Sequence, residues 1–243
     1  MAQLHSLPTL QKPTLSAQVA RYLLDLVAQE GLRPGDFVPS EVQISKTLQV
    51  SRGSVREAYR TLAALGILEI ESGRRPRLQS MKAAVLAQVF GYALSTAQLN
   101  PTHVIETRRA IEVQGAQLAA RNVTDTQKAT LKGLVAQMRS ALGDRDHVRR
   151  VTADIAIHTT LAEASCNPLN PLLLAALRAP VEQVMIIDQS SSEPQLVRLV
   201  DAHDAIVERV CTGDAVGAGA AMAMHFDLSV GSMSKDELAA VPT

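Results

Sequence analysis

The sequence predicts a mostly α protein in two parts: three helices closed by a β-hairpin, then an all-α bundle of six or seven helices. Three observations carry that prediction. The segment Pro39–Glu69 reads as two short helices joined by a tight turn, the second opening at Ser51 and carrying Arg52, Arg56 and Arg60 at four-residue spacing. Immediately after it, residues 67–79 hold the sequence's one pair of strand-like runs. From about Met81 the chain turns Ala- and Leu-rich, with helical periods broken by caps and no further strand pair.

In chain order, Leu15–Glu30 places apolar residues at Leu15, Val19, Tyr22, Leu23, Leu26 and Val27, a helical period that Gly31 ends. Arg33-Pro34-Gly35-Asp36 is a turn, and Phe37-Val38 leaves room for only a stub of strand. Ser40 with Gln43 three residues on makes a capping box for the next helix. In the arginine helix, Val55, Ala58, Tyr59, Leu62 and Leu65 lie mostly opposite the basic stripe and are expected in a core, and Gly66 stops the helix. Ile67–Ile70 and Arg75–Gln79 are the two strands, joined through Glu71-Ser72-Gly73-Arg74. Three helices and a basic hairpin make a winged helix-turn-helix, whose arginine helix suits a DNA groove and whose hairpin, with Arg74, Arg75 and Arg77, suits phosphate or the minor groove. A solvated basic face is the plainer alternative for the same stripe.

The order of short motifs over residues 33–67 resembles the N-terminal domain of GntR-type transcription regulators: Arg33-Pro34-Gly35-Asp36, Pro39-Ser40-Glu41, Val50-Ser51-Arg52, Val55-Arg56-Glu57-Ala58 and Leu65-Gly66-Ile67. The resemblance implies DNA contacts at Ser51, Arg52, Ser54 and Arg56, and a wing glycine at Gly73; Arg60 and Arg74 extend the same basic surface. One position departs from the family pattern: Val42 stands where relatives usually carry arginine, which removes a contact and leaves Arg52 and Arg56 with more of the recognition.

Composition sets the class. At 243 residues, 47% of them hydrophobic, the chain is long enough for two cores. No apolar run is long enough to span a bilayer, and the N-terminus lacks a signal-peptide pattern, so no membrane partner is expected. Cys166 and Cys211 form neither a disulfide framework nor a paired metal motif, which suits a cytoplasmic protein. The net charge is zero. Residues 1–80 nevertheless hold ten Lys/Arg against seven Asp/Glu, and residues 81–243 hold fourteen against seventeen, so the excess of base lies with the DNA motif.

The expected domains are 1–80 for the winged helix, 81–84 for a linker and 85–235 for the helical part. Within the last, Asn100-Pro101 opens a helix through Arg121, and Thr124 with Gln127 caps one running to about Leu142. Gly143-Asp144 starts another to Ser165, and Asn167-Pro168, Glu193-Pro194 and Gly213-Asp214 open the remaining three. Asp154 and His158, four apart, share one helix face, while His203 and His225 lie on later helices. One carboxylate and three imidazoles can hold a divalent ion, although isolated histidines are more often ordinary surface or hydrogen-bonded residues.

Those residues also resemble the FCD effector domain that follows GntR winged helices, as do Glu106-Thr107-Arg108, Ala119-Ala120-Arg121 and Asn167-Pro168-Leu169. The resemblance implies metal ligands at Asp154, His158, His203 and His225, with zinc first and nickel or manganese as alternatives. An octahedral ion so held keeps positive charge and two open positions that suit a small organic acid as effector, with Arg108, which matches an arginine in many relatives, as a second anchor; a structural salt bridge from Arg108 to Glu106 or Glu112 is the competing reading. His5, His103 and His147 fall outside the pattern and are expected to be solvated. Taken together, the expectation is a homodimeric regulator, with repression as the commoner mode, on a palindromic double-stranded operator. A purely structural metal and a metal-dependent hydrolase are the alternatives, the second weakened by the absence of a recognisable base or nucleophile motif.

Overall fold

The computed structural model describes residues 13–185 and 192–231, so His5 and residues 1–12 and 232–235 of the expected domains lie outside the described residues. The chain divides into two compact units that meet in sequence between Val85 and Leu86. In the first, α1 (Leu15–Gln29), α2 (Glu41–Leu48) and α3 (Arg52–Ala64) precede a two-stranded antiparallel hairpin, β1 (Leu68–Glu69) and β2 (Arg77–Leu78). Phe37 forms a single bridge to Arg77 on the far side of β2, so three strand segments lie side by side.

Local signals account for these elements. Thr14 caps α1, Ser40 and Gln43 close the expected capping box of α2, and the Ser51 hydroxyl accepts from the Ser54 amide at 3.2 Å to start α3. Gly31, Gly66 and Gly73 take positive φ, the conformation that ends α1 and α3 and turns the hairpin. Val19, Leu23, Val38, Ile44, Val55, Ala58, Tyr59, Leu62, Leu68 and Leu78 form the core. Two expectations need correction. Leu65, at the end of α3, is 55% exposed, because the helix has already terminated and its side chain no longer follows the buried stripe. The strand runs are shorter than the sequence suggests, because only two residues of each pair in the ladder.

α4 (Ala83–Ser95) begins within the expected linker. The second unit then continues as α5 (Pro101–Asn122), α6 (Asp125–Gly143), α7 (His147–Ala164), α8 (Leu169–Met185), α9 (Glu193–Thr212) and α10 (Ala215–Gly231). Among the described residues no strand follows β2. The capping boxes at Thr124 and Ser192 and the Asn100 cap before Pro101 place three of these starts. α7 starts later than the Gly143-Asp144 signal implies: Arg145 takes φ 56° and the Asp146 carboxylate accepts from the Arg149 amide at 2.9 Å, so Asp146 is the cap. α5 packs against α7, α8, α9 and α10, while α6 packs against α7 and α9. Ile157, Leu161, Ile206, Val210, Met222 and Phe226 are among the side chains that fill the interior between them. No helix of the described residues is long and apolar enough to cross a membrane.

Candidate functional site

The four expected ligands come together. Asp154 and His158 project from one face of α7, His203 from α9 and His225 from α10, and one ligand atom from each lies within 4.8 Å of the others. His158, His203 and His225 are all buried, whereas the Asp154 side chain keeps 32% of its surface open. Three of the four ligand side chains are thus enclosed and the fourth is partly exposed.

Hydrogen bonding decides which nitrogens face the centre. His203 Nδ1 lies 2.7 Å from the carbonyl oxygen of Leu199, one turn back on α9, and a carbonyl only accepts, so Nδ1 carries the proton. His158 Nδ1 contacts Oε2 of Glu112, and neither atom has another hydrogen-bond partner. With both Nδ1 atoms donating outward, both Nε2 atoms present lone pairs inward. They are 3.3 Å apart, and His203 Nε2 is 2.9 Å from Asp154 Oδ1. Two lone pairs and a carboxylate aimed at one point repel unless a positive species lies between them. A separation of 3.3 Å fits two nitrogens sharing an ion at about 2.0–2.1 Å. His225 Nδ1 is buried with no partner, a second sign of a centre built to hold something. The donor set of three imidazoles and one carboxylate therefore fits a divalent cation.

Charge in the cluster is set by burial and by the neighbouring groups. Burial works against charge on Asp154, yet the surrounding imidazoles outweigh it and hold the carboxyl well below its usual range. Burial, followed by the neighbouring His203 and His158, keeps His225 well below the ordinary imidazole range and hence neutral. For His158 burial pulls down but Glu112 pulls harder, and the net direction is upward. Glu112, opposed by burial but facing His158 and Arg108, is held below its usual value and stays ionised.

Glu112 is the residue that sequence reasoning undervalued. It appears there only as one of two salt-bridge candidates for Arg108. In the structure its Oε1 accepts from Arg108 Nε at 2.8 Å while Oε2 supports His158, and both side chains are buried. The choice between Glu106 and Glu112 was legible: Glu112 is four residues from Arg108 on the same helix face, whereas Glu106 is two away and points elsewhere. The guanidinium of Arg108 also lies 5.8 Å from the Phe226 ring centroid. Of the remaining histidines, exposed His103 closes the Asn100 capping box and His147 contacts Arg150.

In the first unit, Ser51, Arg52, Arg56 and Arg60 are exposed along α3 and Ser54 is half-buried. The Ser51 hydroxyl is engaged with Ser54 at the helix start. Arg56 Nε lies 3.4 Å from Glu41 Oε2, while Arg52 and Arg60 have no carboxylate partner among the described residues. Exposed Val42 stands beside this pair at the head of α2. Tyr59, fully buried behind the basic stripe, donates to the Pro39 carbonyl at 2.5 Å and so ties α3 to the segment that enters α2. Burial, then Glu41, pushes its hydroxyl above the ordinary range, so it remains a donor. Gly73 has φ 75° with open space around it, so its requirement is the turn itself.

Residues 15–77 match the family model described as bacterial regulatory proteins, gntR family, and residues 103–228 match the FCD domain. The chain is a GntR-family regulator with an FCD domain. Its relatives include the HTH-type transcriptional regulator LutR of Bacillus subtilis, 29% identical over 80% of this chain and 90% of that protein. The HTH-type transcriptional repressor NanR of an Enterobacter species is 26% identical over 90% of this chain and 85% of its own length. A solved structure, Streptococcus agalactiae GntR, superposes with a TM-score of 0.68 at 26% identity, covering 90% of this chain and all of that one. E. coli McbR/YncC shares the fold at a TM-score of 0.51 and 15% identity. This GntR-family chain is accordingly a DNA-binding transcriptional regulator and not an enzyme.

Proposed function

We propose that this regulator is a cytoplasmic homodimeric repressor whose hold on a palindromic operator is set by a small organic acid bound at a divalent metal in the FCD domain. The observation that carries the reading is the convergence of Asp154 Oδ1 with the inward lone pairs of His158 and His203. Asp154, His158, His203 and His225 would hold the ion, zinc before nickel or manganese. Bound there, a divalent cation supplies a positive anchor for a carboxylate. The open side of Asp154 favours such a receptor over a purely structural metal, which would be closed on every side. Arg108, one turn before Glu112 on α5, is the proposed second anchor for the anion. An acid that engages Arg108 competes with Glu112 for its guanidinium, and Glu112 in turn supports His158. Occupancy by the acid and the geometry of the ligand set are thereby linked.

Output is assigned to α3, with Ser51, Arg52, Ser54, Arg56 and Arg60 toward a major groove, and to the hairpin, turned at Gly73, as the wing. Two-fold symmetry doubles the few base pairs that one such helix reads. Coupling between effector and operator of about 1–3 kcal/mol would change operator affinity several-fold. The name of the relative NanR supports repression as the mode.

Calorimetric titration of the zinc-loaded protein with a panel of hydroxy-acids and sugar acids tests the reading. Binding of one acid, with a matching change in operator affinity, is the expected result. Zinc retention with no acid bound would leave the metal structural.

A further inference from the structure

The hairpin carries three arginines whose surroundings differ. Arg74 Nη1 is 2.5 Å from Glu71 Oε2, and Arg77 Nε is 3.5 Å from Glu69 Oε2 across the β1–β2 ladder. Each of those guanidiniums is matched by a carboxylate of its own hairpin. Arg75 has no carboxylate partner among the described residues. Its Cζ instead lies 5.3 Å from the ring centroid of Phe37.

Phe37 is 49% exposed, so it contributes little to the core, and its ring faces neighbours on the hairpin instead. Phe37 bridges to Arg77, and Arg77 pairs with Glu69, so the three side chains form a row across the sheet. The ring thus has two guanidiniums beside it, Arg75 at 5.3 Å and Arg77 at 5.6 Å from its centroid. An aromatic face attracts a guanidinium without neutralising it. A carboxylate at ion-pair distance offsets its charge, so a guanidinium paired in this way must exchange that partner before it can add to phosphate binding.

We propose that Arg75, held by the Phe37 ring, is the phosphate contact of the wing, and that Arg74 and Arg77 are tied down by Glu71 and Glu69. The proposal rests on the reading that the wing touches DNA, and it names which residue does so. Phe37 acts as a positioning residue, and Arg75 supplies the charge.

The test is fluorescence anisotropy with a labelled DNA duplex of mixed sequence, titrated at several salt concentrations. A phosphate contact is independent of sequence, so no operator is needed. Arg75→Ala should weaken binding and lower the slope of log affinity against log salt by about 1, while Arg74→Ala and Arg77→Ala leave that slope unchanged. Phe37→Ala should weaken binding about 2–5-fold, the range of an exposed cation–π contact, and Phe37→Tyr should restore it. If Arg74→Ala or Arg77→Ala lowers the slope as much as Arg75→Ala, or Phe37→Ala is silent, the proposal is overturned. If none of the three arginine variants changes the slope, the wing does not contact phosphate and the underlying reading fails as well.

Discussion

Glu112 joins side chains of two helices, Arg108 on its own α5 and His158 on α7: one of its oxygens accepts from Arg108 Nε at 2.8 Å and the other supports His158 Nδ1. A carboxylate behind a ligating imidazole fixes the tautomer, turns the ring and raises its basicity. Glu112→Gln should therefore lower zinc affinity by about 10–100-fold, read by competition with a chromophoric chelator. Because glutamine also removes the charge opposite buried Arg108, the unliganded variant should lose about 3–5 kcal/mol in denaturant unfolding, a loss measured separately from that in metal affinity. Unchanged affinity would make Glu112 a partner of Arg108 alone.

Metal binding should also appear as stability. An ion that binds only the folded state at one hundred times its dissociation constant adds about 2.7 kcal/mol. Thermal unfolding of the zinc-loaded protein should occur at a higher temperature than after chelation. The difference should vanish in Asp154→Asn, a substitution chosen because this side chain is partly open and its loss leaves no cavity. A chelator-insensitive midpoint would argue against the site.

On α3 the structure separates arginines that the sequence treats alike. Arg52 has no carboxylate partner among the described residues, whereas Arg56 faces Glu41 at 3.4 Å. Arg52→Ala is expected to cost about 1–3 kcal/mol of DNA affinity. Glu41→Gln should strengthen binding and steepen its salt dependence, because it releases Arg56. A gel-shift series across salt concentrations measures both, and a weaker Glu41→Gln complex would mean that Arg56 needs its acid partner for placement.

Tyr59 supports the same helix from behind. Tyr59→Phe keeps the ring in its fully buried place but leaves the Pro39 carbonyl without its donor. The expected loss is about 1–3 kcal/mol of stability in denaturant unfolding of the full chain. A neutral substitution would show that water or another donor reaches that carbonyl.

Much of this molecule was legible in its sequence where the signal is local. Ser40 with Gln43 and Thr124 with Gln127 marked helix starts by side-chain chemistry alone, and the Asp154–His158 pair followed from helical spacing. Signals that compete locally misled: Gly143-Asp144 resembled a start, but Arg145 in a left-handed conformation moved the cap to Asp146. The placement of His225 beside His203, with ring centroids 4.3 Å apart, depends on how α9 and α10 pack and has no signature in either segment. The family resemblance, rather than spacing, brought it into the set. The outward hydrogen bonds that orient the imidazoles were likewise invisible, because Leu199 enters through its backbone and Glu112 through a helix crossing.

The central claim is that Asp154, His158, His203 and His225 hold one divalent cation. Elemental analysis of the full chain, purified without chelator and then dialysed, tests it directly. The account predicts about one zinc, nickel or manganese ion per chain, reduced to near zero in both Asp154→Asn and His203→Ala. Wild-type protein that carries no metal even after incubation with zinc, or full occupancy in either variant, would contradict it.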